Sequence, residues 1–132
     1  MGTMGYSVPC GIGAKMAAPE REVVVVCGDG SFQMQMMELA TIMQEKIAVK
    51  IIVMRNNYLG MVRELQTKGY GDRLIAVDLD GSPDFVALAR AYGIESDRVS
   101  TMAEAEEKLE KLASSDKPYL LECDVYSRES TL

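Results

Sequence analysis

Val23-Val24-Val25-Val26-Cys27-Gly28-Asp29-Gly30-Ser31-Phe32 and, further on, Val49-Lys50-Ile51-Ile52-Val53-Met54-Arg55-Asn56-Asn57-Tyr58 carry the architecture of this chain. The first apolar run, Val23 to Val26, is β-branched and stops at a glycine, which suits a strand buried on both faces. The second, Val49 to Met54, is a strand interrupted only by Lys50. Between them, Gln33 to Glu45 has helical spacing, with Met36, Met37, Ala40 and Met43 as its expected apolar positions. A separation of roughly 20 residues is enough for a helical crossover and too long for a hairpin. The two strands are therefore expected to run parallel and to end at the same edge of the sheet.

That edge is where open α/β sheets bind ligands. It bears Gly28-Asp29-Gly30-Ser31 after one strand and Asn56-Asn57 after the next. Gly28 and Gly30 permit unusual backbone angles and let a ligand approach the main chain. Ser31 is expected at the start of the following helix, where unpaired amides attract a phosphate. Asp29 supplies a carboxylate and the asparagine an amide oxygen, a donor set for Mg²⁺, which commonly keeps substrate phosphates among its ligands. In an acidic chain such a metal would bridge the protein to a diphosphate. Other readings of the glycines fail: a dinucleotide fingerprint needs glycine where Gln33 stands, and no Walker A lysine is present.

The motif Gly-Asp-Gly-Ser with Asn56 following Asp29 by 27 residues resembles the thiamine-diphosphate (ThDP) signature. Gly2-Thr3-Met4-Gly5-Tyr6, Glu38-Leu39-Ala40-Thr41 and Tyr58-Leu59-Gly60-Met61-Val62-Arg63 narrow it to the large subunit of acetolactate (acetohydroxyacid) synthase. The likeness continues through Tyr70-Gly71-Asp72-Arg73, Pro83-Asp84-Phe85 and the segment after Pro118. It implies a ThDP-binding fold of the doubly wound, mostly parallel α/β class. Residues 1–132 would form a single C-terminal cofactor domain of a larger enzyme, with at least one usual strand lying upstream of Met1.

The resemblance also implies roles. The Gly2 carbonyl would meet the cofactor's aminopyrimidine, and Met4 would wedge between its two rings. Gly28, Asp29, Gly30 and Ser31 would cradle the diphosphate. Asp29, the Asn56 side chain and the Tyr58 carbonyl would hold Mg²⁺; a shifted register would use Asn57 and the Leu59 carbonyl instead. Gly60, Met61 and Val62 would lie beside the thiazolium. Leu65 stands where the family pattern has a tryptophan associated with choice of the second 2-oxoacid, and Arg55 replaces the first asparagine of the family's pair. The implied reaction is decarboxylation of pyruvate and condensation with a second 2-oxoacid, on the branched-chain amino-acid route. FAD would bind only in a middle domain of the full-length enzyme, and the activating glutamate would come from a neighbouring subunit, so a homo-oligomer is expected. Two alternatives stand beside this: a domain of another ThDP-dependent 2-oxoacid decarboxylase, and an excised, non-catalytic module with no tight ligand.

Composition narrows the partners. The chain has 132 residues, a formal net charge of −6 and no histidine. Its length fits one domain. Its acidity makes nucleic acid and anionic membranes poor partners, and the lack of histidine excludes His-based triads. No apolar segment approaches the ~20 residues of a membrane span, and no signal-peptide pattern opens the chain. Cys10, Cys27 and Cys123 are odd in number and set in apolar sequence, which suggests buried free thiols and a cytoplasmic setting.

The remaining elements follow from their punctuation. Tyr6 to Ala18 is a helix with small residues at Gly11, Gly13 and Ala14. Tyr58 to Gln66 has helical spacing at Met61, Val62 and Leu65, and Thr67 to Gly81 reads as a loop. Ser82-Pro83 is expected to cap a helix reaching Tyr92, and Gly93 to end it. Arg98 to Ser100 is a short strand, and Thr101 and Glu104 form a capping box for a helix to Ser114. That helix has Met102, Ala105, Leu109 and Leu112 as its stripe. A last strand runs from Tyr119 to Val125, and 127–132 are expected to fray.

Overall fold

A computed structural model of the chain describes residues 3–127. Gly2 and the last residues of the expected frayed tail lie outside them. In chain order the elements are α1 (Ser7–Ala17), β1 (Val24–Gly28), α2 (Asp29–Gln33), α3 (Glu38–Gln44), β2 (Lys50–Arg55), α4 (Gly60–Tyr70), α5 (Phe85–Ala91), β3 (Glu95–Val99), α6 (Met102–Ser114) and β4 (Tyr119–Asp124). The described strands form one four-stranded sheet in the order β1-β2-β4-β3. Every pairing is parallel.

Crossover handedness explains the layers. The connections β1 to β2 and β2 to β3 advance across the sheet, whereas β3 to β4 steps back. Right-handed crossovers place helices on opposite faces when the direction reverses. Accordingly, residues of α1, α2, α3 and α5 (Val8, Ile12, Phe32, Leu39, Ile42, Phe85 and Ala89) share a core with Val25, Ile51, Val53 and Leu120. Leu112 and Ala105 of α6 pack on Val99, Tyr119 and Leu121 of the other face. The chain is thus an α/β fold wound on both faces.

α1 lies so close to β1 that a Cβ on Gly11 would sit 2.1 Å from Val25 Cγ2. The small residue there is a packing requirement. Gly13, by contrast, has no described atom near its missing side chain.

Several local expectations change. β1 is not buried on both faces: Val25 and Cys27 are buried, but Val24 and Val26 are 50% and 60% exposed. β1 is the edge strand, and α6, the helix on that second face, packs against β3 and β4. The helix foreseen over 33–45 starts earlier, at Asp29, and turns at 34–37 divide it into α2 and α3. In α3 the buried positions are Leu39 and Ile42, while Met37 and Ala40 are exposed. The cap of α5 is Asp84 rather than Ser82, since its carboxylate accepts the Ala87 amide at 2.9 Å. Gly93 ends that helix at φ +84°. β3 begins three residues before the expected Arg98, at Glu95.

The capping box of α6 forms with a shift. Thr101 Oγ1 accepts from the Glu104 amide, and Glu104 accepts from the Ser100 amide. On α6 only Leu112 is buried, whereas Met102 is 87% exposed. Lys50, the interruption in β2, is buried on the α6 side and donates to the carbonyls of Ser115 and Lys117, so its charge caps the C-terminal end of α6. Of the three free thiols, Cys27 is buried, Cys123 is half-buried and Cys10 is exposed, contrary to the expectation that all are buried.

Candidate functional site

β1 and β2 are neighbours in register, Gly28 pairing with Met54, so their C-terminal ends meet. The Asp29 side chain is 2% exposed and turns into that junction. One carboxylate oxygen accepts the Gly30 amide at 2.8 Å. The other accepts the amides of both Asn56 (3.1 Å) and Asn57 (2.7 Å). Two successive amides thus converge on one oxygen, at a turn where Asn57 adopts the left-handed conformation, φ +59°. Successive N–H groups turned to one side of the backbone make a concave nest that holds an anion, and here the two amides hold the Asp29 carboxylate. The carboxylate also helps to push the nearby Cys27 thiol up to about 12, with burial the larger cause.

The asparagine turn is held from several sides. Asn56 Oδ1 accepts the Tyr58 amide at 2.9 Å, a local turn of the kind asparagine favours. Asn57 Oδ1 accepts from Arg55 Nε at 2.9 Å. The Leu59 carbonyl accepts the Arg63 amide at 2.9 Å and so belongs to the first turn of α4. A Cβ on Gly60 would lie 3.2 Å from Asn56 Nδ2, so α4 starts directly against that side chain.

Gly28 and Gly30 act differently from the expectation. Gly28 sits at φ −77°, ψ 160°, and neither glycine is among those at positive φ. What each contributes is a missing side chain. A Cβ on Gly30 would meet Leu59 Cδ2 at 2.8 Å, Met4 Cε at 3.1 Å and Leu79 Cδ1 at 3.2 Å. A Cβ on Gly28 would meet no described atom within 4 Å, so the main chain there is open to an approaching group. Met4 is thus brought over the glycine turn, 25 residues away in sequence. Ser31 is the third residue of α2 rather than its start, and its hydroxyl accepts the Gly5 amide at 3.0 Å. That bond ties the Met4 segment to the turn.

α4 presents its apolar residues outward. Met61, Val62 and Leu65 are 70%, 42% and 61% exposed, while Glu64 is the buried residue of the helix. The segment expected to be all loop from Thr67 is helical to Tyr70. Beyond it, Val77 is fully buried, its carbonyl accepts the Leu59 amide, and the Leu79 amide donates to the Asn57 carbonyl. Val77 and Leu79 are site residues the sequence reading missed. The alternation Ile75, Val77, Leu79 was the available signal.

A polar cluster behind the turn was also missed. Glu122, fully buried on β4, accepts Arg55 Nη1 at 2.8 Å, Arg98 Nε at 3.1 Å and Arg98 Nη2 at 3.2 Å. Arg98 in turn pairs with Asp84 at 3.3 Å. The hydrogen bonding of Arg98 to Glu122, ahead of the carboxylate's charge, holds the Arg98 guanidinium above its usual range. The Arg55 guanidinium also rests 5.5 Å from the centroid of Phe85, which meets Phe32 edge to face at 5.1 Å beneath the site.

The donor chemistry fits a hard divalent cation with a diphosphate. The Asp29 carboxylate and the Asn56 amide oxygen lie at one strand junction, with an open glycine main chain beside them. Such an arrangement defines an open α/β protein whose ligand edge lies at the ends of β1 and β2. The chain belongs to the thiamine pyrophosphate enzyme, C-terminal TPP binding domain family, which matches residues 1–123.

Named relatives agree. The chain is 41% identical over 131 residues to the acetolactate synthase large subunit of Cyanidium caldarium, covering 98% of this chain and 22% of that protein. It is 46% identical over 122 residues to the probable acetolactate synthase large subunit of Methanocaldococcus jannaschii, covering 92% of this chain and 21% of that one. Among solved structures, it resembles the Rhodococcus jostii RHA1 thiamine diphosphate-dependent 4-hydroxybenzoylformate decarboxylase with a TM-score of 0.86 and 29% identity. That match covers 96% of this chain and 24% of the other. The chain therefore spans about a fifth to a quarter of the length of these relatives. Among the described residues no helix is long and apolar enough to cross a membrane.

Proposed function

We propose that this chain is a single C-terminal domain that binds ThDP through Mg²⁺ in an acetolactate synthase-type enzyme of branched-chain amino-acid biosynthesis. The observation that carries the reading is the buried Asp29 carboxylate seated against the amides of Asn56 and Asn57. Asp29, Asn56 Oδ1 and the Tyr58 carbonyl are assigned to the metal. The shifted register would use Asn57 and the Leu59 carbonyl instead.

When bound, ThDP supplies a thiazolium carbon that serves as nucleophile and electron sink. The chain's own residues bind and orient it. Gly28 leaves the main chain bare for the diphosphate, Gly30 lets Leu59, Met4 and Leu79 close over the turn that cradles it, and Ser31 anchors Gly5 so that Met4 stands there as the wedge between the cofactor's rings. The proposed contact of the Gly2 carbonyl with the aminopyrimidine involves a residue outside those described. Gly60, Met61 and Val62 bring the start of α4 beside the thiazolium, and Leu65 faces the second 2-oxoacid. The exposed apolar face of α4 and the bare face of β1 suit burial against other domains and a second subunit. Residues that activate the cofactor and bind FAD are assigned to other parts of a full-length cytoplasmic enzyme, so the 132-residue chain alone is expected not to turn over pyruvate.

A second reading, another ThDP-dependent 2-oxoacid decarboxylase, is favoured by Leu65 in place of the tryptophan and by the likeness to the Rhodococcus jostii enzyme. Calorimetry with ThDP and MgCl₂ tests the cofactor reading: saturable heat that disappears in Asp29→Ala supports it. No heat at millimolar ligand would show instead a non-catalytic module. Acetolactate formation from pyruvate by the chain alone, at a rate near that of a complete enzyme, would overturn the division of labour.

A further inference from the structure

Arg55 links three features that the cofactor reading does not use. Its Nε donates to Asn57 Oδ1, its Nη1 donates to Glu122, and its planar group packs on Phe85. Sheet register explains the meeting. Val53 pairs with Glu122, and Arg98 pairs with Glu122 from the other side. Arg55, two residues beyond Val53, projects to the same face of the sheet. Glu122 is fully buried, and Arg55, through Nε on Asn57, is the member of the cluster shown to reach the turn.

A buried ion cluster is weak evidence of added stability, because apolar residues of equal volume often do as well. What the arginine fork adds is geometry: several donors in one rigid plane, aimed at once. Here Nη1 is spent on a fixed carboxylate, and Nε fixes Asn57. Asn57 is left-handed, and its amide and that of Asn56 converge on Asp29.

We propose that Arg55, oriented by Glu122, is a positioning residue that holds the Asn56–Asn57 turn in its amide-nest conformation and thereby sets the metal and diphosphate site. The metal and diphosphate part rests on the cofactor reading above; the turn itself does not. The test is hydrogen exchange of the Asn56 and Asn57 amides in the cofactor-free chain, alongside calorimetry with ThDP and MgCl₂. Arg55→Met keeps the stem over Phe85 but removes the fork, and is expected to speed exchange of both amides about tenfold. Amides in the middle of β2 and β4 should change little, which a general loss of stability would not produce.

In an Asn57→Gly background, where the arginine has no side chain to hold, Arg55→Met should have no further effect on the two amides. ThDP affinity of the single variant should fall about tenfold. Arg55→Lys, which retains charge toward Glu122 without the fork, should be intermediate, and it serves if the methionine variant does not fold. Unchanged exchange at Asn56 and Asn57 would overturn the proposal. Faster exchange with unchanged ThDP affinity would overturn its bearing on the cofactor. If the parent chain itself binds no ThDP, the cofactor reading fails, while the exchange comparison still decides the role of Arg55.

Discussion

Asp29→Asn separates the structural from the ligand-binding work of one side chain. The substitution keeps size and shape but replaces one carboxylate oxygen by an NH₂ donor. In the folded chain the carboxylate accepts three backbone amides, one on one oxygen and two on the other. The best orientation of the new amide keeps its oxygen toward Asn56 and Asn57 and turns NH₂ toward the Gly30 N–H. One buried donor then faces another, at a cost of about 1–3 kcal/mol. The other two bonds lose their charge assistance, roughly 1 kcal/mol each. The easier burial of a neutral side chain offsets part of this.

A net loss of about 1–3 kcal/mol is therefore expected, measured as a lower urea midpoint at unchanged slope. Affinity for ThDP with MgCl₂, measured by calorimetry at a temperature where both proteins are folded, should fall at least about 100-fold, or about 2.7 kcal/mol. Stability within about 0.5 kcal/mol of the parent would refute the hydrogen-bond argument. Unchanged ThDP affinity in a folded variant would refute the assignment of Asp29 to the metal.

Gly11→Ala should destabilise the chain by roughly 1–2 kcal/mol. Overpacking against Val25 costs about 1–3 kcal/mol, and improved helix propensity returns up to about 1. In a Val25→Ala background the same change should be neutral or stabilising in urea unfolding, and equal loss in both backgrounds would contradict the contact. Asp84→Ala should cost about 0.5–2 kcal/mol by loss of the α5 cap. The Ala87 amide, chiefly, holds the Asp84 carboxyl below its usual range. Its contribution is thus present above the unfolded value near 4 and is lost as pH falls through the folded one, so parent and variant should begin to converge below about pH 4 and meet only below the folded value in acid titrations. With a thiol reagent at pH 8, Cys10 should react first, while Cys27, buried and raised to about 12, should stay protected until the chain unfolds. Rapid labelling of Cys27 in the native state, seen by peptide mass mapping, would contradict its placement.

The reading from residues alone reached the elements that rest on local pattern. The β-branched runs located β1 and β2, and the crossover length made them parallel, which places Asp29 beside Asn56 without any coordinates. It failed where exposure depends on neighbours far along the chain. Val24 and Val26 have the composition of a buried strand, yet β1 lies at the sheet edge with one face bare. Met61, Val62 and Leu65 lie on one side of α4, but that side faces outward and Glu64 faces in. The cluster around Glu122 was invisible because its partner Arg55 lies 67 residues away, and nothing periodic connects them. Val77 and Leu79 were lost in a run whose glycines and aspartates read as loop.

The amino-acid sequence, through spacing and side-chain chemistry, determined the parallel strand–helix–strand frame and the identity of the oxygen donors at its edge. Those properties are local, since a few bonds and a repeat period dictate them. Only the tertiary structure decided that the Asp29 carboxylate sits in an amide nest, that Arg55 is pinned between Asn57 and Glu122, and which apolar faces stay bare. Those outcomes depend on sheet order and register, which bring distant segments within hydrogen-bond reach.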